Sequence, residues 1–128
     1  MVFINSCLCY ILSMKIVKDE IFLDELKTMS KNMFGNLVKA VVDIEKKIMA
    51  VNAELHSDEE QILLENGSTQ NNLWGINLYP EKFGTDNFVE FDSMINLRPS
   101  QNNRTRGVDD PRVQDLIKNI VDKLTINE

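Results

Sequence analysis

A chain of 128 residues with 43% hydrophobic content fits one globular domain with its own core. Charged residues of both signs are mixed along it without a long low-complexity run, which excludes global disorder. A formal net charge of −6 excludes wholesale coating of nucleic acid, although a local basic patch can still act against that background.

Residues 1–13 (MVFINSCLCYILS) are apolar and hold both cysteines, Cys7 and Cys9. No Lys or Arg precedes the apolar run and no A-x-A-like site follows it, and it is shorter than the roughly 20 residues that span a bilayer. It reads as an extension outside the domain, upstream of a native start at Met14, which leaves residues 14–128 as a single domain. One intervening residue is too few for a normal disulfide, and no CxxC pair or Cys/His metal spacing exists. The body therefore lacks a disulfide framework, as expected in a reducing cytoplasm.

Met14 to Val17 predicts a strand. Leu23, Leu26, Met29, Met33 and Phe34 recur at helical spacing and form the apolar stripe of an amphipathic helix ended by Gly35. The Val- and Ile-rich run LVKAVVDIEKKIMAVNAEL, broken at Glu45-Lys46-Lys47, predicts two antiparallel strands and a tight turn. Alternation sets Val38, Ala40, Val42 and Ile44 on one face, with Lys39, Val41 and Asp43 on the other. Ser57-Asp58-Glu59-Glu60 reads as a capping box opening a helix that ends at Asn66-Gly67. Leu73–Tyr79 and Phe88–Leu97 predict two further strands, with residues 80–87 as the hairpin loop. Trp74 belongs in the core, and Gly75 marks a bulge or a close backbone approach. Asp109-Asp110-Pro111 starts the last helix with an aspartate cap and a first-turn proline, and Val113, Leu116, Ile117, Ile120, Val121 and Leu124 form its buried face. The expected fold is α+β: a small antiparallel sheet of four to five strands packed with three helices.

Three polar constellations carry the chemistry. In the first, alternation along Phe88–Leu97 places Val89, Phe91, Ser93, Ile95 and Leu97 inward, and Phe88, Glu90, Asp92, Met94, Asn96 and Arg98 outward. If the polar faces of neighbouring strands coincide, Asp43, Asn77, Glu90, Asp92, Asn96 and Arg98 form one patch. Asp43, Glu90 and Asp92 would then supply oxygen ligands to Mg²⁺ or Mn²⁺, a divalent cofactor suited to phosphoester chemistry. The plain alternative is the solvated face of an antiparallel sheet. In the second, His56 lies between Glu54 and Asp58, where carboxylates can orient an imidazole as base or ligand, or where it simply hydrogen-bonds at a helix entrance. With Asp43 and Asp92, His56 and Glu54 make the candidate catalytic set. In the third, the loop from Arg98 to Gly107 offers Arg98, Asn102, Asn103, Arg104 and Arg106, with Asn77, as ligands for phosphate or carboxylate, or as an ordinary solvated loop. P-loop, dinucleotide-fold and nucleophile-elbow motifs are absent from the sequence.

The run VKAVVDIEKKIMAVNAELHSDEEQILLENGSTQNNLWGINLYP, then EFDSMINLRPSQNNR and the DDP helix start, resembles an uncharacterised prokaryotic family, domain-of-unknown-function family 5674. The resemblance runs from about Met14 to the C-terminus and rests on ELHxDxE, LLExGSxQ, WGxN and SxINxRPxQxNR taken together. The chain departs from that pattern at Val51-Asn52-Ala53, where the family has glycines, and at Glu59, where some relatives carry cysteine. A mechanism that needs those glycines or that thiol is therefore not implied for this protein.

Three function classes stay open on these residues. The first is a small cytoplasmic binding or regulatory module for an anionic ligand, nucleotide or nucleic acid. The second is a metal-dependent enzyme acting on a phosphoester. The third is a structural or homo-oligomerising protein.

Overall fold

The Val- and Ile-rich run forms the centre of the sheet. In the computed structural model, which describes residues 13–128, β3 (Val38–Asp43) and β4 (Ile48–Val51) pair antiparallel. The expectation for residues 1–13 lies outside the described residues except at Ser13, whose carbonyl accepts a bond from Asn52 Nδ2 (3.1 Å). Asn52 itself has φ 74°, a left-handed conformation. Asp43 closes the β3–β4 turn by accepting the amide hydrogens of Glu45 and Lys46 (2.9 Å each), the usual work of an aspartate at a turn.

β5 (Leu73–Leu78) pairs with the other edge of β3, β1 (Lys15–Val17) lies outside β4, and β6 (Val89–Glu90) lies outside β5. The sheet order is β1-β4-β3-β5-β6, and every pairing is antiparallel. A second, parallel pair joins β2 (Ile21–Phe22) to β7 (Thr125–Ile126). The sequence does not announce it, because two residues are too short to show alternation.

Helices cover both faces. On one side Val38, Ala40 and Val42 join a core with Leu26 of α1 (Leu23–Met33) and with Ile117 and Val121 of α3 (Pro111–Leu124). On the other, Val41, Ala50 and Leu73 pack against Leu63 of α2 (His56–Glu65). The α+β architecture is therefore as expected. The aspartate-and-proline start of α3 is also found, with Asp110 accepting the Arg112 amide hydrogen (2.9 Å). Gly67 takes φ 97° just beyond α2, a conformation glycine adopts without steric cost.

Two elements differ from expectation. The Ser57–Glu60 capping box does not form: α2 begins at His56, and no side chain caps that end. Glu59 reaches back instead and accepts the Ala53 amide hydrogen (2.9 Å). The long strand Phe88–Leu97 stops at Glu90; a short 3₁₀ turn spans Met94–Asn96, and Arg98 bridges to Asn103. The alternation fails because the Asn96 side chain replaces the strand. Its Oδ1 accepts from Gly75 N–H (2.8 Å) and its Nδ2 donates to Gly75 C=O (3.0 Å), satisfying the edge of β5 as a neighbouring backbone would. Phe88, expected outward, joins the main core, and Asn96, expected in the polar patch, is fully buried.

A candidate binding cleft

The register of the sheet decides which polar residues meet. Lys39 of β3 lies opposite Asn77 of β5, and Asn77 lies opposite Glu90 of β6, so all three project on the α2 side. Asn77 Nδ2 donates to Glu90 Oε1 (2.9 Å), which also accepts from the Tyr79 hydroxyl (3.0 Å). Beyond this row the chain rises from β6 into the Met94–Asn96 turn, and α2 begins across from it. Between them lies a cleft of about 340 Å³, lined by Lys39, Leu55, His56, Asn77, Met94 and Arg106, with Ser57, Asp92, Ser93 and Ile95 completing the wall.

His56 is half-buried, and its Nε2 lies 2.7 Å from the Ile76 carbonyl. A carbonyl only accepts, so Nε2 carries the proton and, in the neutral ring, Nδ1 keeps the lone pair. Burial pushes the pKa below the ordinary histidine value, partly opposed by the Ile76 bond, which keeps the imidazole neutral near pH 7. Arg106 is held by Asp92, Nε to Oδ1 at 2.7 Å, and its Nη1 lies 3.5 Å from Met94 Sδ. The loop behind it is anchored by the Arg106 carbonyl, which accepts from Ser93 N–H (2.9 Å) and Asn96 Nδ2 (2.9 Å).

The structure thus brings together His56, Asn77, Asp92 and Arg106 from the expected sets. Glu90 stands beside them, and Lys39 and Ser57 are additions. Lys39 was legible as a polar-face residue but carried no chemical signal. The others do not assemble there. Asp43 lies four positions along β3 from Lys39, about 13 Å away at the rise of a strand. Its second carboxylate oxygen accepts from the Ser68 hydroxyl (2.7 Å), which ties the turn to the segment after α2. The trio Asp43, Glu90 and Asp92 therefore does not converge, and among the described residues no group of three His, Cys, Asp or Glu side chains is placed to hold a metal ion. Glu54 is exposed and outside the cleft wall.

Within the arginine loop, Arg98 is spent on structure. Its Nη1 and Nη2 donate to the carbonyls of Gln70 (2.6 Å) and Leu73 (2.7 Å), and its guanidinium stacks over Trp74 at 4.1 Å. The partners of Arg98 are thus carbonyls and an aromatic face. Asn103 is buried and shares its amide hydrogens among the carbonyls of Asn96, Thr105 and Gly107, while its oxygen accepts from Asp109 N–H. Asn102 adopts φ 61° at the tip of the loop, exposed like Arg104 and away from the cleft. At the start of α3, Asp110 accepts the Arg112 amide hydrogen, which leaves a carboxylate at the helix end nearest this loop.

Glu59 is the residue that sequence reasoning misses. It sits one turn into α2, fully buried, with Oε2 on Ala53 N–H and Oε1 without a partner among the described residues. Burial pushes its carboxyl well above the ordinary value of 4.5. A raised folded-state pKa means the folded protein holds this proton after the unfolded chain has released it. The resulting stability is present below pH 4.5 and is lost as the pH rises from there through the raised value. Glu59→Gln keeps an acceptor for Ala53 and cannot ionise. Wild-type stability should therefore fall relative to Glu59→Gln as pH increases between about 5 and 8, measured by urea unfolding. Parallel stability profiles for the two proteins would contradict this.

A family model described as "Protein of unknown function (DUF5674)" matches residues 15–124. No curated protein and no solved structure matches the chain. No helix among the described residues is long and apolar enough to cross a membrane.

Proposed function

We propose a function for this chain, which belongs to the DUF5674 family of proteins of unknown function, from its cleft: a small binding or regulatory module that takes up an anionic ligand, a nucleotide or nucleic acid. The observation that carries the reading is the meeting of Lys39, Arg106 and the uncapped start of α2 on one concave surface. The first amide hydrogens of a helix have no intrahelical acceptor, and its dipole favours negative charge at that end. Asp92 takes the Nε edge of Arg106 and leaves the guanidinium fixed with further donors. The neutral His56 adds no repulsion toward a cationic group and supplies a polar wall.

Binding of this kind is electrostatic and exposed to salt. Isothermal titration with inorganic phosphate and with mononucleotides at low ionic strength tests it. Lys39→Gln combined with Arg106→Ala should weaken binding about tenfold or more, while unfolding free energy moves by no more than about 0.5 kcal/mol for the exposed Arg106 change alone. Raising the salt to physiological strength, where the screening length is about 8 Å, should weaken the wild type and affect the double variant less. Equal affinities for the two proteins would end the proposal.

A further inference from the structure

The cleft is only partly charged. Leu55, 51% exposed, precedes α2 on one lip, and Met94, 62% exposed, stands in the 3₁₀ turn on the other. Single exposed apolar side chains are common, but two large ones facing a single concavity form a surface that gains by being covered. Met94 adjoins the cation directly, with its sulfur 3.5 Å from Arg106 Nη1. An anion held by Arg106 therefore has an apolar, polarisable neighbour, and thioethers pack favourably against aromatic rings.

Asn77 adds a third requirement. It is 7% exposed and lines the cleft, and its Oδ1 is buried without a partner among the described residues. Its orientation is set on the other side, because the Glu90 carboxylate can only accept, and therefore takes the Nδ2 hydrogens. An acceptor buried without a donor is costly, and a ligand N–H placed there relieves that cost. The cleft volume of about 340 Å³ is near the lower end of small-molecule sites, roughly 300–1,000 Å³.

Resting on the anion reading above, we infer that the occupant is a single nucleoside monophosphate. Its phosphate meets Lys39, Arg106 and the start of α2, its base lies between Leu55 and Met94, and an N–H on the base edge donates to Asn77 Oδ1. The apolar lips and the buried acceptor are features a bare phosphate or a sugar-phosphate backbone leaves unused, whereas a base uses both.

The test compares inorganic phosphate, adenosine, AMP, N6,N6-dimethyl-AMP and a short single-stranded oligonucleotide by isothermal titration on the full chain. AMP should bind at least about tenfold more tightly than phosphate, and dimethylation, which removes the N–H donor, should weaken it. Leu55→Ala and Met94→Ala, at exposed positions and without a new capping hydroxyl at the start of α2, should lower AMP affinity by a larger factor than phosphate affinity. Equal affinity for AMP and phosphate, equal affinity for AMP and its dimethyl derivative, or unaltered AMP binding by both alanine variants overturns the inference while the anion site stands. An oligonucleotide that binds more tightly than AMP overturns the single-nucleotide assignment. Adenosine binding as tightly as AMP, or no binding of phosphate or AMP, overturns the anion reading as well.

Discussion

Replacing Asn96 with alanine should destabilise the fold by about 3–5 kcal/mol, because the buried N–H and C=O of Gly75 both lose their partner, at roughly 1–3 kcal/mol each, along with a bond to the Arg106 carbonyl. That is a large share of the roughly 5–15 kcal/mol by which domains are stable. Asn96 is fully buried and joins three places: the edge of β5, the Met94–Asn96 turn and the loop that carries Arg106. Asn96→Asp should be no milder, since a carboxylate can still accept from Gly75 N–H but has no hydrogen for the two carbonyls. Urea unfolding with an unchanged denaturant slope checks the size of the effect. A loss below about 1 kcal/mol would mean that other groups satisfy Gly75 and that Asn96 does not organise this end of the cleft.

Gly75→Ala tests the same junction from the opposite side. A Cβ built there lies 2.5 Å from both Cβ and Oγ of Ser93 and 3.1 Å from Ile95 Cγ1, well inside contact distance. Ser93 is buried, so the turn must shift to make room, and overpacking of this kind costs about 1–3 kcal/mol or more. Ser93→Gly alone should also destabilise, because Ile95 N–H loses its acceptor (3.3 Å) and a flexible residue enters the turn. Combined, the two changes should cost less than their sum, with a coupling of about 0.5–3 kcal/mol from the relieved clash. Strict additivity in a double-mutant cycle would show that the backbone accommodates the methyl group elsewhere. Ser93 and Ile95 both line the cleft, so Gly75→Ala should also weaken ligand binding in protein that remains folded.

The functional reading gains most from the residues that left the expected sets. Arg98 and Asn103 are loop residues of the type that hold anions, yet backbone carbonyls take the Nη donors of Arg98 and the amide hydrogens of Asn103, and the Arg98 guanidinium lies on the Trp74 face. Their work is to hold the loop that presents Arg106. Asp43 has the chemistry of a metal ligand and the geometry of a turn residue, with both carboxylate oxygens occupied. Only Asn77 and Arg106, of the six residues expected to bind ligand, line the cleft.

What the sequence determined by itself are the features whose physics closes within a few residues. The Asp110-Pro111 start of α3, the left-handed glycine after α2, the turn between β3 and β4 and the inward alternation of Val38, Ala40 and Val42 each depend on neighbours one to four positions away. The close approach at Gly75 was legible for a related reason, since a missing side chain in a buried strand marks a place where something else must come near. Only the tertiary structure decided the end of β6, the burial of Asn96 and Glu59, and the membership of the cleft. Asn96 serves Gly75 across 21 positions, and Arg98 serves Gln70 across 28. A carboxamide or guanidinium has the same composition whether its donors meet a ligand or a distant carbonyl. Which of these it meets depends on the strand register and on the unpaired backbone groups that folding leaves at the sheet edge, and a pattern of residue types does not encode that choice.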